Sequence, residues 1–596
     1  MRTCIYSRIA ALALVMTVAL LSAGCPHKAG DSTGFSFQEE DISDWLGSPD
    51  QELPPDESVP PDETEPPDDT EPPDDTEPPE ETPPYSVSLV KFIRVDGSEA
   101  DLSDTPLTIV GQLKVYFSRP LEEDERTAVA AGFTLKDPLD SSVHVSTANW
   151  TADNELLYTI PKRMKYATTY TVHIPGLDPD PSFTTRTKGD INGDGVADVL
   201  IGEMNWLDKG RVIILGGAAL PGFSGLVKEG ENVGDYFGMA IEMAGDVNGD
   251  GYEDILVGAP GYDTSLGDDV GKAYLYFGPD LDDSKVMEFF GEAEDSEFGN
   301  ALAGCELTGD GFTDIIIGAP DYTAGGYMEK GKVYTVKGGQ SGTYSITSSK
   351  EYHVSNLLFG RSMACLGEDD PDGMAYMVIG MPGLSSDTGA IGVYKSLNLD
   401  ELFTIEGDSP GDDFGKAVAA IGDQDGDELD DIVVGAPSAL SGRGTVKVYR
   451  MTGTVAPTTT IHKGVGLSPD DELGTSVLAI SDISGDGRED LLLGAPGFSS
   501  TMGRVYAVKG GDPIDLSTAK TRDGDAPGLC AFGWSSALAP DVTGDGVPEL
   551  LVGEPAYDGN KGGFMLLNGA HIDAPPLAAA HGGTNDLFQG FSVAGP

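Results

Sequence analysis

The stretch Asp246-Val247-Asn248-Gly249-Asp250-Gly251-Tyr252-Glu253-Asp254 runs directly into Ile255-Leu256-Val257-Gly258-Ala259-Pro260, and its reading decides the fold. The first nine residues alternate oxygen-bearing side chains with glycine or other residues, the composition of a tight polar turn. The apolar run that follows is strand-forming and closes on Gly and Pro, as a buried strand between turns should. The pair recurs along the chain. Acidic loops begin at Asp190, Asp246, Glu306, Glu368, Asp423, Asp482 and Asp541, seven in all, spaced 55 to 62 residues apart. A repeat of this length predicts a propeller or an array, because one such unit cannot bury its own apolar face.

Each unit carries further marks. Phe-Gly precedes five loops, at Phe237-Gly238, Phe298-Gly299, Phe359-Gly360, Phe414-Gly415 and Phe532-Gly533, and Leu473-Gly474 replaces it once. Gly-Ala-Pro follows at Gly258, Gly318, Gly435 and Gly494, with Gly380-Met381-Pro382 and Gly553-Glu554-Pro555 as variants. This pattern resembles the FG-GAP repeats of the integrin α-subunit propeller and covers residues 188–596. The resemblance implies an all-β fold, a seven-bladed β-propeller, with extracellular protein or matrix ligands. The ends of the array predict how the ring closes. The first loop has no Phe-Gly strand before it, and the chain ends in Gln589-Gly590-Phe591-Ser592-Val593-Ala594-Gly595-Pro596, a strand of that type with no loop after it. The last strand is therefore expected to complete the first blade, which removes an exposed edge.

The loops offer oxygen donors at positions 1, 3, 5 and 9. These are Asp190, Asn192, Asp194 and Asp198 in loop one, and Asp246, Asn248, Asp250 and Asp254 in loop two. Loop three offers Glu306, Thr308, Asp310 and Asp314, and loop five Asp423, Asp425, Asp427 and Asp431. Loop six offers Asp482, Ser484, Asp486 and Asp490, and loop seven Asp541, Thr543, Asp545 and Glu549. Hard oxygen ligands without His or Cys select calcium over zinc or copper. The start is similar to an EF-hand loop, but no glutamate stands at position 12. In the FG-GAP family position 9 takes the closing carboxylate role. Loop four has Glu368, Asp370 and Asp372 but Tyr376 at position 9, so no metal is expected there. An Asx-rich turn that needs no ion is the competing account of any single loop. Against it, three or four carboxylates in one turn repel unless a cation sits among them.

The amino-terminal region reads differently. Arg2 and Arg8 precede an apolar segment from Ile9 to Leu21, too short to span a bilayer and consistent with a cleaved signal over residues 1–24. Leu21-Ser22-Ala23-Gly24-Cys25 resembles the lipobox of bacterial lipoproteins, which implies acylation of Cys25 and export to the outer membrane or cell surface. Residues 25–84 form an acidic, proline-rich segment without Lys or Arg from Asp31 to Pro84. Such a chain buries too little apolar area to fold and is expected to be a disordered, extended stalk. Residues 85–187 alternate as half-buried strands, for example Leu113-Lys114-Val115-Tyr116-Phe117 and Tyr170-Thr171-Val172-His173-Ile174. They predict a β-sandwich and resemble bacterial Ig-like domains.

A net charge of −63 argues against nucleic acid and against anionic lipid headgroups, so the lipid would be the one membrane contact. Of the five cysteines, Cys305 and Cys365 fall at similar points in consecutive repeats. They could pair, or be buried small hydrophobes. No H-E-x-x-H, G-x-S-x-G or Walker pattern is present, and the acidic residues are accounted for by the loops, so no enzyme is expected. The expectation is a monomeric, calcium-braced adhesion module that binds extracellular protein or glycan ligands. The alternatives are a polysaccharide-acting protein or a structural envelope lipoprotein.

Overall fold

A computed structural model of the chain describes residues 87–596 except 95–98, 102–110, 137–141, 144–146, 153, 160–168, 175–181, 185–186, 218–224, 341, 368–374, 425–428, 452–459, 511–514, 526–529, 582–588 and 596. The signal segment, Cys25 and the stalk lie outside the described residues. Among the described residues no helix is long and apolar enough to cross a membrane.

Residues 87–184 build two sheets. A five-stranded sheet includes Val87–Arg94, Gly111–Phe117 and Glu155–Thr159, and a four-stranded sheet includes Thr134–Lys136 and Thr169–His173. Their inward residues, among them Phe92, Leu113, Val115, Leu135, Leu156 and Val172, form one buried cluster. The helix Glu123–Gly132 adds Val129 to that cluster. Strand alternation gave no hint of this helix, whose first turn is acidic and whose Glu125 accepts a hydrogen bond from the Glu122 amide at 2.9 Å.

Seven further four-stranded antiparallel sheets follow. In sheet two the strands are Ile241–Gly245, Asp254–Ala259, Lys272–Tyr276 and Met287–Phe290, paired in chain order. Sheets three to seven repeat this meander from first strands Ala301–Cys305, Met363–Leu366, Ala417–Ile421, Val477–Ile480 and Ser536–Ala539. The second strands, such as Asp314–Ala319, Asp431–Ala436 and Asp490–Ala495, are buried at every residue, which is why they read as unbroken apolar runs. The first strands contact one another in sequence and close into a cycle.

Sheet one is made from both ends of this region. Leu226–Glu229, Arg211–Leu215 and Val199–Glu203 are joined by the carboxy-terminal strand Gln589–Ala594, with Leu200 opposite Ala594 and Ile201 opposite Val593. Ser592 donates through Oγ to the Gly238 carbonyl of sheet two at 2.7 Å. Ser362 makes the same bond to Gly415 and Ser476 to Gly533, at 2.8 and 2.9 Å. The terminal strand thus occupies the place of a first strand.

The Phe-Gly and Gly-Ala-Pro motifs meet at the seams between sheets. Within a sheet the Gly299 amide donates to the Gly318 carbonyl at 2.9 Å, and Gly415 to Gly435 at 3.0 Å. Across the seam, a Cβ on Gly258 would lie 2.0 Å from the Gly299 carbonyl oxygen, and one on Gly435 2.0 Å from that of Gly474. Phe237, Phe298 and Phe359 are fully buried wedges, and each bridges the glycine that opens the third strand of the preceding sheet. Buried lysines reinforce the seams. Lys272 reaches back to Glu231 at 2.5 Å, Lys447 to Asp408 at 2.6 Å, and Lys332 pairs with Glu292. Cys305 and Cys365 form a disulfide that joins sheets three and four.

Deleting residues 586–596 should open the ring and leave Val199–Glu203 as an unpaired edge. Loss of a core strand costs several kcal/mol, and about 1 kcal/mol moves the melting temperature of a large domain by ~2 °C. A fall of roughly 5 °C or more, with aggregation on size exclusion, is the expected result. Unchanged melting and elution would contradict the closure.

Candidate functional site

Loops two, three, six and seven join the first strand of a sheet to the second, and loop one leads into the second strand of sheet one, so these described loops lie at the same end of the second strands. Position 1 organises the turn. Asp190 accepts from the amides of Gly193 at 2.7 Å, Asp194 at 3.1 Å and Gly195 at 2.8 Å. Asp482 repeats this with Gly485, Asp486 and Gly487, and Asp541 with Gly544, Asp545 and Gly546. Glycine at positions 4 and 6 is required here. Gly193 and Gly195 hold φ of 77° and 86°, which side chains disfavour.

Position 9 ties the loop to its sheet. Asp254 is fully buried and accepts from the Val247 amide with one oxygen and from the Gly278 amide with the other, both at 2.9 Å. Asp198, Asp314 and Asp490 do likewise, toward Gly217, Gly338 and Gly510. Glu549 fills this place in loop seven, accepting from Val542 and Thr543. Asp431 of loop five accepts from Gln424 and Met451.

Burial pushes the carboxyls of Asp198 and Asp314 up to about 7 against the pull of these amides. Burial, then the charges of Asp246 and Asp250, raises Asp254 well above the usual range. At all three the cost of burying the charge outweighs the hydrogen bonds from the amides. In loop six, one ligand oxygen each of Asp482, Asp486 and Asp490 lie within 4.8 Å of one another, close enough for one cation. The donor set, hard oxygen from carboxylate and hydroxyl, fits calcium. In loop four, Glu368, Asp370 and Asp372 lie outside the described residues, as do Asp425 and Asp427 of loop five, so their donors are not brought together here.

Several contributors escaped sequence reasoning. Lys337 pairs with Asp310 at 2.8 Å and Lys509 with Asp486 at 3.0 Å, so position 5 already meets a cation in loops three and six. Asn568 donates to Asp545 at 3.1 Å in loop seven. Acidic residues at position 8 link loops two, five and six to the repeat before each. Glu253 accepts from the Gly189 amide at 3.2 Å, Asp430 from Gly367 at 2.8 Å and Glu489 from Gly422 at 2.9 Å. The signal was an acid directly before position 9, visible only once its partner in the preceding repeat is known.

The opposite face carries the loops from second to third strands and from fourth strands to the next sheet. Large apolar side chains stand exposed there, including Leu207, Leu266, Met328 and Leu440 on the first kind of loop and Val233 and Leu467 on the second.

A closed cycle of such sheets, stitched at Phe-Gly and Gly-x-Pro seams, defines an integrin-α-like β-propeller. The FG-GAP repeat model matches residues 237–276, 298–336, 473–508 and 532–564. The chain is 32% identical over 244 residues to integrin alpha pat-2 of Caenorhabditis briggsae, covering 37% of this chain and 18% of that protein. It is 30% identical over 214 residues to integrin alpha-5 of Xenopus laevis, covering 33% and 19%. It is also 30% identical over 180 residues to phosphatidylinositol-glycan-specific phospholipase D of Mus musculus, covering 28% and 22%. The chain therefore spans about a fifth of the length of these relatives. Among solved structures, the Dos1 propeller aligns at a TM-score of 0.33 and 10% identity, over 71% of this chain and 90% of that one.

The raised carboxyls make a pH prediction for the chain in excess EGTA. Asp198 and Asp314 take up protons near pH 7 when folded but only near pH 4 when unfolded, so the native state binds more protons between those values. Stability should then rise as pH falls from about 8 to about 5.5. Asp198→Asn and Asp314→Asn should melt lower, because an amide keeps one acceptor oxygen of two, and should lose part of that slope. Thermal melts across pH check both; an opposite slope in the parent chain would refute the burial account.

Proposed function

We propose that this chain is an exported, lipid-anchored surface protein. Its propeller is braced by calcium in the acidic loops, and its other face binds extracellular protein or glycan ligands. The observation that carries this reading is the face away from the acidic repeat loops, whose connecting loops expose large apolar side chains such as Leu207, Leu266, Met328 and Val233 among acidic residues. Patches of exposed apolar residues rimmed by polar ones mark interaction surfaces. A rigid ring with loop-borne contact residues suits binding, and no catalytic role is assigned.

Loops one, two, three, five, six and seven would hold the calcium through positions 1, 3, 5 and 9. Bound calcium would add positive charge beside the buried position-9 carboxylates, whose charged form burial penalises. The lysines beside Asp310 and Asp486 would then turn outward or share those carboxylates with the ion. Cys25 would carry the lipid and residues 25–84 the spacing from the membrane.

Calcium bound only by the folded state adds RT ln(1 + [L]/Kd) per site, about 2.7 kcal/mol at a hundred-fold excess. Melting of the full chain should therefore rise with calcium at ~0.1 to 1 mM and fall in EGTA. Asp482→Asn with Asp490→Asn should remove part of that gain. Equal melting in calcium and EGTA would dispose of the metal.

For the anchor, the parent protein should remain with membranes through a high-salt wash and leave only with detergent, while Cys25→Ala should be released or left unprocessed. Buried acyl chains contribute about 0.8 kcal/mol per methylene, which salt does not screen. Recovery of the parent protein in the salt wash would refute lipidation.

A further inference from the structure

One cavity of about 360 Å³ opens on the face away from the acidic loops. Sheets seven, one and two border it with Trp534, Phe591 and Met239. Sheets three to six border it with Asn300, Arg361, Lys416 and Thr475. Each of these residues directly follows the Phe-Gly glycine of its sheet or that glycine's counterpart, Gly474 or Gly590. One side chain from each of seven sheets can reach a single cavity only if that cavity lies on the ring axis. It is the axial mouth.

The mouth is two-sided. Its apolar wall is continuous through three neighbouring sheets, with the rings of Trp534 and Phe591 at 5.6 Å between centroids and tilted by 41°. Trp534 is 38% exposed, so part of its ring surface is open. The polar wall interleaves cations with carboxylates and neutral hydrogen-bonding groups. Arg361 donates to the Asn300 side-chain oxygen at 2.6 Å and feels the carboxylates of Glu297 and Asp321. Lys416 lies 3.5 Å from Asp413, which also accepts from Ser438 at 2.7 Å. Glu472 adds an acceptor to the lining.

This arrangement excludes several ligands. A strongly charged group of either sign meets repulsion as well as attraction, because Arg361 and Lys416 stand among Asp413 and Glu472. A purely apolar ligand would leave the polar wall dry and unsatisfied. An uncharged ring with an apolar C–H face and hydroxyls on its edge satisfies both walls, and the cavity is within the size range of small-ligand sites. We propose that the axial mouth binds a neutral saccharide, its ring stacked on Trp534 and Phe591 and its hydroxyls bonded by the Asn300, Arg361, Thr475 and Glu472 side. This rests on the reading of the propeller as a ligand-binding module and names the ligand of one site on it.

The test is calorimetric titration of the full chain with cellotriose, mannotriose and triacetylchitotriose, with trigalacturonate as the acidic counterpart. At least one neutral trisaccharide should bind with a Kd of about 1 mM or tighter. Trp534→Ala should weaken it roughly tenfold, as loss of an aromatic contact does. Glu472→Gln should weaken it as well, and both variants should melt like the parent. Binding of none of the neutral sugars, of trigalacturonate alone, or equally by Trp534→Ala overturns the proposal. Each of those outcomes leaves the calcium response and the membrane association of the parent protein as separate readouts. A chain that binds sugar through Trp534 without responding to calcium would instead contradict the brace and keep the mouth.

Discussion

The ring depends on how closely two glycines approach across each seam. The Gly-x-Pro glycine of one sheet lies against the carbonyl of the Phe-Gly glycine in the next, with no room for a methyl group at Gly258, Gly318, Gly380, Gly435 or Gly494. That distance sets the angle at which one sheet meets the next, and small errors would accumulate around a closed ring. The partner glycines carry a second constraint, since Gly299, Gly360 and Gly415 hold φ near 90°. A side chain at either position would clash or strain the backbone. The buried phenylalanine beside each one fills the wedge that this close approach leaves toward the outside of the seam.

Charge follows the same geometry. The chain has 36 Lys and Arg against 99 Asp and Glu, so cations are scarce, and several are buried at seams. Lys272 is 1% exposed, paired with Glu231 and Glu288 and packed over the rings of Tyr262 and Tyr274. A buried ion pair contributes little net stability compared with an apolar pair, but it penalises any other register strongly. Placed between sheets, such pairs select which sheets become neighbours. In the loops the buried position-9 carboxyls of Asp198, Asp254 and Asp314 are raised, chiefly by burial, while hydrogen bonds hold the more exposed Asp482, Asp486 and Asp545 below the usual range.

The repeat was legible because the sheets share the same few residues at the same points: an apolar second strand, its closing glycine, and, except for Tyr376 in sheet four, an acid at position 9. The terminal strand was legible for a related reason, as an element without its usual successor. What could not be read depends on distances between repeats. Cys305 and Cys365 were equally consistent with separate burial until the sheets placed them side by side. Glu253, Asp430 and Glu489 looked like surface acids because each acts on the preceding loop, more than sixty residues away in the chain. The helix at Glu123–Gly132 interrupts a strand-rich stretch, and its hydrophobic spacing is too weak to compete with the alternation on either side.

The axial mouth shows a further limit of reading a repeat as a repeat. The residue after the Phe-Gly glycine is a place where seven equivalent positions converge on a single space, so identity there need not match from sheet to sheet. It varies from Met to Asn to Arg to Lys to Thr to Trp to Phe, while the glycine before it stays fixed. In a motif comparison that variation looks like noise. In the ring it is ordered, with the apolar residues on adjoining sheets and the polar ones on the rest. The seams hold the backbone of these positions fixed by the same glycine contacts that close the ring. Side chains can therefore change without moving the scaffold. A structure so constrained between sheets is free to vary where the sheets converge, and that is where recognition can be built without cost to the fold.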